Sequence, residues 1–367
     1  MEEARKYETA KYVVSGVAFV LNAALLIYLL TSQFTFRIRD FAQNLTPHGW
    51  PSLTVLFYFI VVGAIFTVIQ LPLDFLSGYF LEHRFGLSRQ TLASWVYDQV
   101  KGLALGAVLG LAGLEIIYGL MRTQPDRWWI FAAIIFAALF VVLAKLAPVI
   151  LLPLFFKFTP VESAELRQRV DRLAQRARTQ IRGLFEWSLG EKTRKANAAV
   201  VGWGKTRRII VSDTLLQNFS PEEIEVIMAH ELCHHVKAHI WWGIAVQSLL
   251  TFVSFFAIDR VLHRFAGPFR GISDVANFPV IALCGIAISV LMLPVVNGFS
   301  RWLEREADLY ALEITGDALA FVSSMEKLAD LNMANKTPNS IIEFVFYSHP
   351  AIEKRIKLAA DRVGQIV

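Results

Sequence analysis

Cysteine is scarce in this chain, whose 367 residues include only Cys233 and Cys284. Two cysteines, one in a helix-like motif and one in an apolar run, exclude a disulfide framework as the basis of the fold. Charge is limited too, since 18% of the residues are charged and the formal net charge is +5. Because the Lys and Arg residues are spread over loops and amphipathic segments, we predict no nucleic-acid partner. The sequence also lacks internal repeats and low-complexity tracts.

Apolar residues are abundant instead. Hydrophobic residues make up 55% of the chain, and the mean hydropathy is +0.47. A helix needs about 20 mostly apolar residues to cross a bilayer. Six stretches meet that length: roughly 12–31, 53–73, 102–121, 128–156, 240–258 and 279–299. The sequence therefore predicts a mainly α, polytopic transmembrane protein with about six to seven spans, in contact with membrane lipids.

Two polar segments, roughly 157–238 and 300–367, are separated by two of these spans. Both must then lie on the same side of the membrane, where they can build one domain. This predicts four parts: N-terminal transmembrane helices in 1–156, a first half-domain in 157–238, a transmembrane hairpin in 239–299 and a second half-domain in 300–367. If the amino terminus is cytoplasmic, the even number of spans places that domain in the cytoplasm, and the charges of the short loops favour this orientation.

The first polar segment has the patterns of a small α+β unit. Thr159 as N-cap and Pro160 in the first turn predict an amphipathic helix at its start. Three short runs rich in β-branched and aromatic residues predict a small antiparallel sheet: GLFEWSLG, NAAVVGWG and RRIIVSD. After them, FSPEEIEVIMAHELCHHVKAH predicts a strong helix with Ser220 as its N-cap.

That helix contains the pattern H-E-x-x-H, formed by His230, Glu231 and His234. A spacing of four residues places both imidazoles on one helical face, where they can bind one metal ion, while the acid beside them can reach a water. Two alternatives stay open at this point. The two histidines could be ordinary surface residues, or the pair His235 and His239 could bind the metal, although no acid lies beside that second pair.

A catalytic zinc site needs a third protein ligand and leaves the fourth position open for water. The second polar segment begins with the predicted helix SRWLEREADLYALEITG, where Glu304 can supply that ligand. Asp308, one turn later on the same face, can accept the free ring N–H of a ligand histidine. Glu306 points elsewhere and is interpreted as an ordinary exposed charge.

HELCHHVKAH, followed about 70 residues later by SRWLEREADLYA, resembles the type I CAAX prenyl protease family of integral-membrane zinc metalloproteases. The resemblance covers roughly residues 65–360 and includes further segments in the family's order: LPLDFLSGYFLEHRFGLSRQT, KFTP, KANAAVVGWGKTRRIIVSDTLL and YSHPAIEKR. It implies a zincin-like α+β metalloprotease domain on a transmembrane helical bundle, and one Zn²⁺ per chain. The implied substrate is a peptide or protein, with or without a C-terminal lipid.

The resemblance also implies roles for single residues. His230, His234 and Glu304 would bind zinc, Glu231 would act as general base, and Asp308 falls on the family's outer acidic position.

Further residues match the family's substrate-binding positions. Asn197 and Ala198 lie on the strand that pairs with the substrate backbone in this family. His349 and Arg355 match the residues that bind substrate and stabilise the tetrahedral oxyanion. The resemblance therefore implies a second catalytic residue, His349, far from the metal-binding motif in sequence.

The chain departs from the family in several ways. Six spans are predicted where seven are common. Cys233 stands where glycine is frequent and is interpreted as a small packing residue, and His235 stands at a position usually held by a bulky residue. His239 looks family-like, but no role for it follows from the sequence.

The predicted function is an integral-membrane zinc endopeptidase of the CAAX prenyl protease type. One alternative is a membrane-protein quality-control protease of the heat-shock branch of the superfamily, and another is a non-catalytic zinc-binding membrane scaffold. The chain length favours a bacterial inner membrane over the endoplasmic reticulum as its location.

Overall fold

The computed structural model describes residues 2–202, 204–265 and 267–363. Residue 203 of the predicted run NAAVVGWG and residues 364–367 of the last predicted segment lie outside these ranges. Within them the chain forms these helices and strands: α1 Glu2–Thr31, α2 Phe34–Asn44, α3 Pro51–Asp74, α4 Leu81–Arg84, α5 Leu92–Thr123, α6 Trp128–Leu146, α7 Leu152–Phe155, β1 Phe158–Pro160, α8 Ala164–Arg176, β2 Leu184–Trp187, β3 Ala198–Val201, β4 Arg208–Ser212, α9 Asp213–Asn218, α10 Pro221–Val236, α11 His239–Arg264, α12 Phe278–Thr315, α13 Ala318–Leu331, α14 Ser340–Phe346 and α15 Ile352–Val363.

Six helical stretches of the described residues are long and apolar enough to cross a bilayer: Glu2–Thr31, Pro51–Arg84, Leu92–Thr123, Trp128–Phe155, His239–Arg264 and Val275–Thr315. The prediction of a polytopic helical membrane protein is thus confirmed. The stretch that contains Pro148 changes to a π-helical turn over Ala147–Leu151, because proline removes one backbone donor. The short helix α2 was not predicted from the sequence.

Buried polar contacts hold α2 and the α11–α12 connection together at one end of the bundle. Arg39 Nη1 lies 2.7 Å from Asp274 Oδ2, and both side chains are buried. Thr35 Oγ1 donates to the carbonyl of Ala276 at 2.9 Å. A buried ion pair needs such well-formed contacts to offset the cost of removing both charges from water. This end of the bundle is therefore fixed in place by α2.

The opposite end of the bundle carries the polar domain. Glu8, two turns into α1, accepts a hydrogen bond from Asn335 Nδ2 at 2.8 Å and another from the Tyr347 hydroxyl. These contacts place the start of α1 on the same side as the segment that follows α12. The side of the membrane shared by both polar segments is thus also the side of the amino-terminal end of α1.

The polar domain contains one four-stranded sheet in the order β1-β2-β4-β3. β2 pairs with β4 in parallel, while the other two pairings are antiparallel. The prediction of a purely antiparallel sheet was wrong, because alternation identifies strands but not their directions. The direction depends on the path of the chain between β2 and β3. That segment returns past the membrane part, where Arg89 N–H donates to the Lys192 carbonyl at 2.9 Å.

The predicted start of the first amphipathic helix was also wrong. Thr159 and Pro160 lie in β1, opposite residues of β2. A proline is tolerated there because β1 is an edge strand and needs no donor on its outer side. The helix α8 begins at Ala164 instead, and Ser163 Oγ accepts the N–H of Leu166 at 3.3 Å as its cap.

Both polar segments contribute to one hydrophobic core. Ile209 and Met228 of the first segment are fully buried together with Ala311 and Phe321 of the second. Helix α12 runs without interruption from the membrane into this domain, so the predicted boundary at residue 299 falls inside a helix. The core therefore brings α10 and the end of α12 side by side, and these two helices carry the candidate metal ligands.

Candidate metal centre

Helix α10 is anchored at its start, which fixes the orientation of the H-E-x-x-H turn. Ser220 and Glu223 form a capping box, in which each side chain accepts the other residue's backbone N–H. Glu223 also pairs with Lys327 of α13 at 2.7 Å. The helix ends at Val236, and Ala238 takes a left-handed conformation with φ 59°. The chain therefore turns sharply before α11 begins at His239.

The three candidate ligands meet between α10 and α12. His230 Nε2 lies 3.1 Å from Glu304 Oε2 and 3.4 Å from His234 Nε2, and His234 Nε2 lies 3.5 Å from Glu304 Oε1. Zinc bonds to nitrogen and oxygen of about 2.0–2.1 Å in tetrahedral geometry require ligand atoms about 3.3 Å apart. The donor types and their separations therefore fit one tetrahedral metal ion.

His230 is supported by a buried charged pair. Its Nδ1 lies 2.9 Å from Asp308 Oδ1, and Arg355 donates to both Asp308 oxygens, at 2.8 Å from Nε and 2.5 Å from Nη2. Burial opposes a charged imidazole, but hydrogen bonds to Asp308 and Glu304 raise the pKa of His230 to about 9. We call His230, Asp308 and Arg355 the His230 arm.

His234 has different surroundings. Its Nδ1 lies 3.0 Å from Nδ1 of His239, and His239 Nε2 lies 3.2 Å from Glu306 Oε2. Burial and the nearby positive charge of His230 lower the pKa of His234 to about 4. We call His234, His239 and Glu306 the His234 arm. The sequence suggests His239 only as half of the alternative pair with His235 and Glu306 only as an ordinary exposed charge, because the contact between them depends on the sharp turn at Ala238.

Two further candidate catalytic side chains lie at this site. Glu231 follows His230 on α10 and is half-buried. Burial raises its pKa to about 7, and the negative charge of Glu304 adds to the effect while His230 and Arg355 oppose it. His349 Nε2 lies 3.3 Å from Glu304 Oε2, and its side chain is 56% exposed. The fold thus brings His349 next to the candidate ligands from 45 residues beyond Glu304.

The candidate substrate-binding residues Asn197 and Ala198 lie on the free edge of the sheet. The Asn197 carbonyl accepts the Ser212 N–H from β4 at 2.9 Å. Along one strand of an antiparallel pair, successive residues direct their backbone groups alternately toward and away from the neighbouring strand. The backbone groups of Ala198 and Val200 therefore point away from β4. Asn197 Oδ1 accepts the Ala198 N–H at 2.8 Å, and His235 Nε2 donates to the Val200 carbonyl at 2.7 Å.

The structure also shows the surroundings of Arg355, Cys233 and the alternative pair His235 and His239. Arg355 is buried and holds Asp308, its partner within the His230 arm. Cys233 is fully buried, and burial raises the pKa of its thiol to about 12, so it stays a protonated packing residue. The alternative pair His235 and His239 does not converge, because one contacts β3 and the other contacts His234.

Comparison with known proteins agrees with this geometry. The family described as Peptidase family M48 matches residues 160–363, and the family described as CAAX prenyl protease N-terminal, five membrane helices, matches residues 1–157. Over residues 2–155, all of which the structure describes, four helical stretches are long enough to span a membrane. The short α2 is an additional helix there. The family description names five membrane helices for this region, where this chain has four candidate spans. The predicted difference in span number from the family therefore lies in this region.

Similar proteins cover nearly the whole chain. A Bacillus subtilis protein named "Uncharacterized metalloprotease YhfN" is 29% identical over 97% of this chain and 84% of its own. "CAAX prenyl protease 1" of Saccharomyces cerevisiae is 26% identical over 83% of this chain and 71% of its own. The crystal structure of S. mikatae Ste24p has the same fold, with a TM-score of 0.86 at 23% identity, covering 97% of this chain and 88% of that one. This chain belongs to peptidase family M48 and is a multi-pass membrane metalloprotease of the CAAX prenyl protease family.

Proposed function

We propose that the protein is a zinc endopeptidase whose metal is held by His230, His234 and Glu304. The observation that carries this proposal is the set of ligand-atom separations of 3.1, 3.4 and 3.5 Å, which suits one tetrahedral ion. When bound, zinc polarises the peptide carbonyl and lowers the pKa of a water from about 16 toward 7. The residue types favour zinc, because two imidazoles and one carboxylate are a common catalytic zinc set.

Glu231 acts as the general base in this proposal. It accepts a proton from the attacking water and then transfers that proton to the departing amine. A carboxylate with a pKa near 7 is suited to both steps, because it exchanges protons readily at neutral pH. His349, exposed beside Glu304, donates a hydrogen bond to the oxyanion, a contact whose removal typically costs about 3 kcal/mol of barrier.

The free edge of β3 positions the substrate. Ala198 offers an outward-pointing backbone carbonyl to which an extended peptide can add as a further strand, while Asn197, whose own backbone bonds to β4, holds the Ala198 N–H through Oδ1. Since His235 of α10 contacts the Val200 carbonyl of β3, a peptide paired with this edge would lie alongside the helix that carries His230 and His234. Arg355 contributes by fixing Asp308, and through it the ring of His230.

We infer that residues 157–238 and 300–367 act as one protease domain, because their described parts share one core. The substrates are peptides or membrane-associated proteins, with or without a C-terminal lipid. Similarity to a Bacillus subtilis protein over 97% of the chain supports a bacterial membrane over that of the endoplasmic reticulum as location. The contacts between the start of α1 and the segment after α12 support one side of the membrane for both, so a cytoplasmic amino terminus implies a cytoplasmic protease domain.

One cleavage assay tests this proposal. Purified, zinc-loaded protein is given a farnesylated CAAX peptide, its unprenylated counterpart and an unfolded membrane protein. We expect peptide cleavage by the wild-type chain and none by Glu231→Gln, while the variant still binds one zinc ion per chain. Hydrolysis by zinc-loaded Glu231→Gln would refute the role of that residue. Cleavage of the unfolded protein alone would identify a quality-control protease, and zinc binding without any cleavage would identify a scaffold.

A further inference from the structure

His239 is the first residue of α11 and is only 4% exposed, although it carries two polar nitrogens. Both nitrogens have a partner. Nδ1 lies 3.0 Å from Nδ1 of His234, and Nε2 lies 3.2 Å from the Glu306 carboxylate on α12. These distances are within the hydrogen-bonding range for ring nitrogens. A buried histidine thus connects a candidate metal ligand to a carboxylate on the facing helix.

The positions of the protons follow from the geometry. Nε2 of His234 faces His230 and Glu304, so it must keep its lone pair free if it is a metal ligand. A neutral imidazole carries one proton, which is then on Nδ1. That N–H points at Nδ1 of His239, which must accept it. The proton of His239 is therefore on Nε2, where it is donated to Glu306.

In this assignment each ring N–H has one acceptor, and Nε2 of His234 is left free to bind the metal. The same helix, α12, reaches both sides of the His234 ring, because Glu304 approaches Nε2 while Glu306 acts on Nδ1 through His239. Glu306 is also held by Lys237 Nζ at 3.5 Å, on the turn between α10 and α11. The ring is thus fixed in orientation and in tautomer by one chain of contacts.

We propose that His239 and Glu306 are positioning residues that hold His234 as the Nδ1-protonated tautomer, ready to bind zinc through Nε2. The inference rests on the proposed zinc site. Partners of this kind on the outer side of a ligand histidine typically change metal affinity or activity by about 10–100-fold when they are removed. His239 takes the place that a carboxylate usually has, and Glu306 orients it in turn.

Two substitutions of His239 distinguish a role in orienting the His234 ring from a role in packing alone. His239→Asn keeps an acceptor oxygen near the position of Nδ1, whereas His239→Phe keeps the bulk and removes the acceptor. We expect His239→Phe to weaken zinc binding by about 10–100-fold and His239→Asn by less than about threefold. The measurement is the zinc dissociation constant of the full-length, detergent-solubilised protein in competition with a chelator, together with kcat and KM for peptide cleavage. We expect the loss in cleavage to appear in kcat, with KM little changed.

Glu313→Gln is the matched control, because Glu313 is exposed on the same helix two turns beyond Glu306. It should leave zinc affinity unchanged. Thermal unfolding of the zinc-free variants shows that each is folded. The inference is overturned if His239→Phe binds zinc as tightly as wild type, or if His239→Asn is as weak as His239→Phe. If the wild-type chain binds zinc but cleaves no substrate, the proposed function fails while the affinity series still decides the inference. If the wild-type chain binds no zinc, both are refuted.

Discussion

The His230 arm and the His234 arm support the two proposed histidine ligands by different means. Asp308 on the His230 arm is completely buried and is paired with the guanidinium of Arg355. On the His234 arm the direct partner is the ring of His239, and the carboxylate behind it, Glu306, is 34% exposed. A buried carboxylate needs a matching charge, whereas a carboxylate near water does not. The deeper arm therefore rests on a fully buried ion pair, whereas the shallower arm ends in a carboxylate that contacts both solvent and Lys237.

The two histidines also differ in pKa in the metal-free protein. The pKa of His230 is raised to about 9 and that of His234 is lowered to about 4. At neutral pH one ligand is a cation held by two carboxylates, and the other is already neutral. In the proposed site, zinc would therefore displace a proton from His230 but not from His234. Substitutions in one arm at a time test whether the two histidines depend on their partners in these different ways.

The largest effect is expected for Asp308→Ala. It leaves the buried guanidinium of Arg355 without its partner, a change that typically costs about 3–5 kcal/mol. It also removes the acceptor for Nδ1 of His230, so zinc affinity should fall as well. Thermal or denaturant unfolding of the metal-free protein, and zinc competition with a chelator, measure the two effects separately.

The double variant Asp308→Ala with Arg355→Met is the control for this change. Removing both charges should restore most of the free energy of unfolding, because no unpaired charge is then buried. It should not restore zinc affinity, because His230 still lacks its acceptor. Equal stability of the wild type and the single variant would contradict the importance of this pair.

The pH dependence of zinc binding should follow the His230 arm. A pKa of about 9 lies above the ordinary histidine value, so His230 is protonated below that pH and its proton must leave before zinc binds. Zinc affinity should therefore rise about tenfold per pH unit between pH 7 and 9 and level off above it. His234, neutral at these pH values, adds no slope. Chelator competition at several pH values checks this.

Asp308→Asn sharpens the pH prediction. An amide cannot hold the imidazolium as a carboxylate does, so the pKa of His230 should fall and the slope between pH 7 and 9 should become shallower. An unchanged slope in this variant would show that the displaced proton belongs to another group.

The smallest effect is expected for Glu306→Gln on the His234 arm. The amide oxygen can still accept the N–H of His239, and the site is partly exposed, so zinc affinity should change by less than about threefold. Glu306→Leu, which has no acceptor, should weaken binding more. A large loss in Glu306→Gln would show that the negative charge itself is required, and the two arms would then be alike.

Several features were determined by the sequence alone, because they depend on local patterns. The six candidate spans follow from long apolar runs, and the proposed ligands of the H-E-x-x-H pattern and the pair Glu304 and Asp308 follow from a spacing of four residues on a helix. The resemblance of whole segments further gave the family, which the family matches confirm. None of these inferences needs the path of the chain between elements.

Other features were decided only by the tertiary structure. These features are the parallel pairing of β2 with β4, the position of Pro160 in β1, the pairing of Arg355 with Asp308, and the contact from Glu306 through His239 to His234. Each depends on residues that no local sequence pattern links. His234 and His239 meet because Ala238 ends the helix in a left-handed turn, and α12 then supplies Glu306 from across the hairpin. The sequence thus determines which side chains can bind a metal. Packing between distant helices determines which nitrogen of each ring is free to do so.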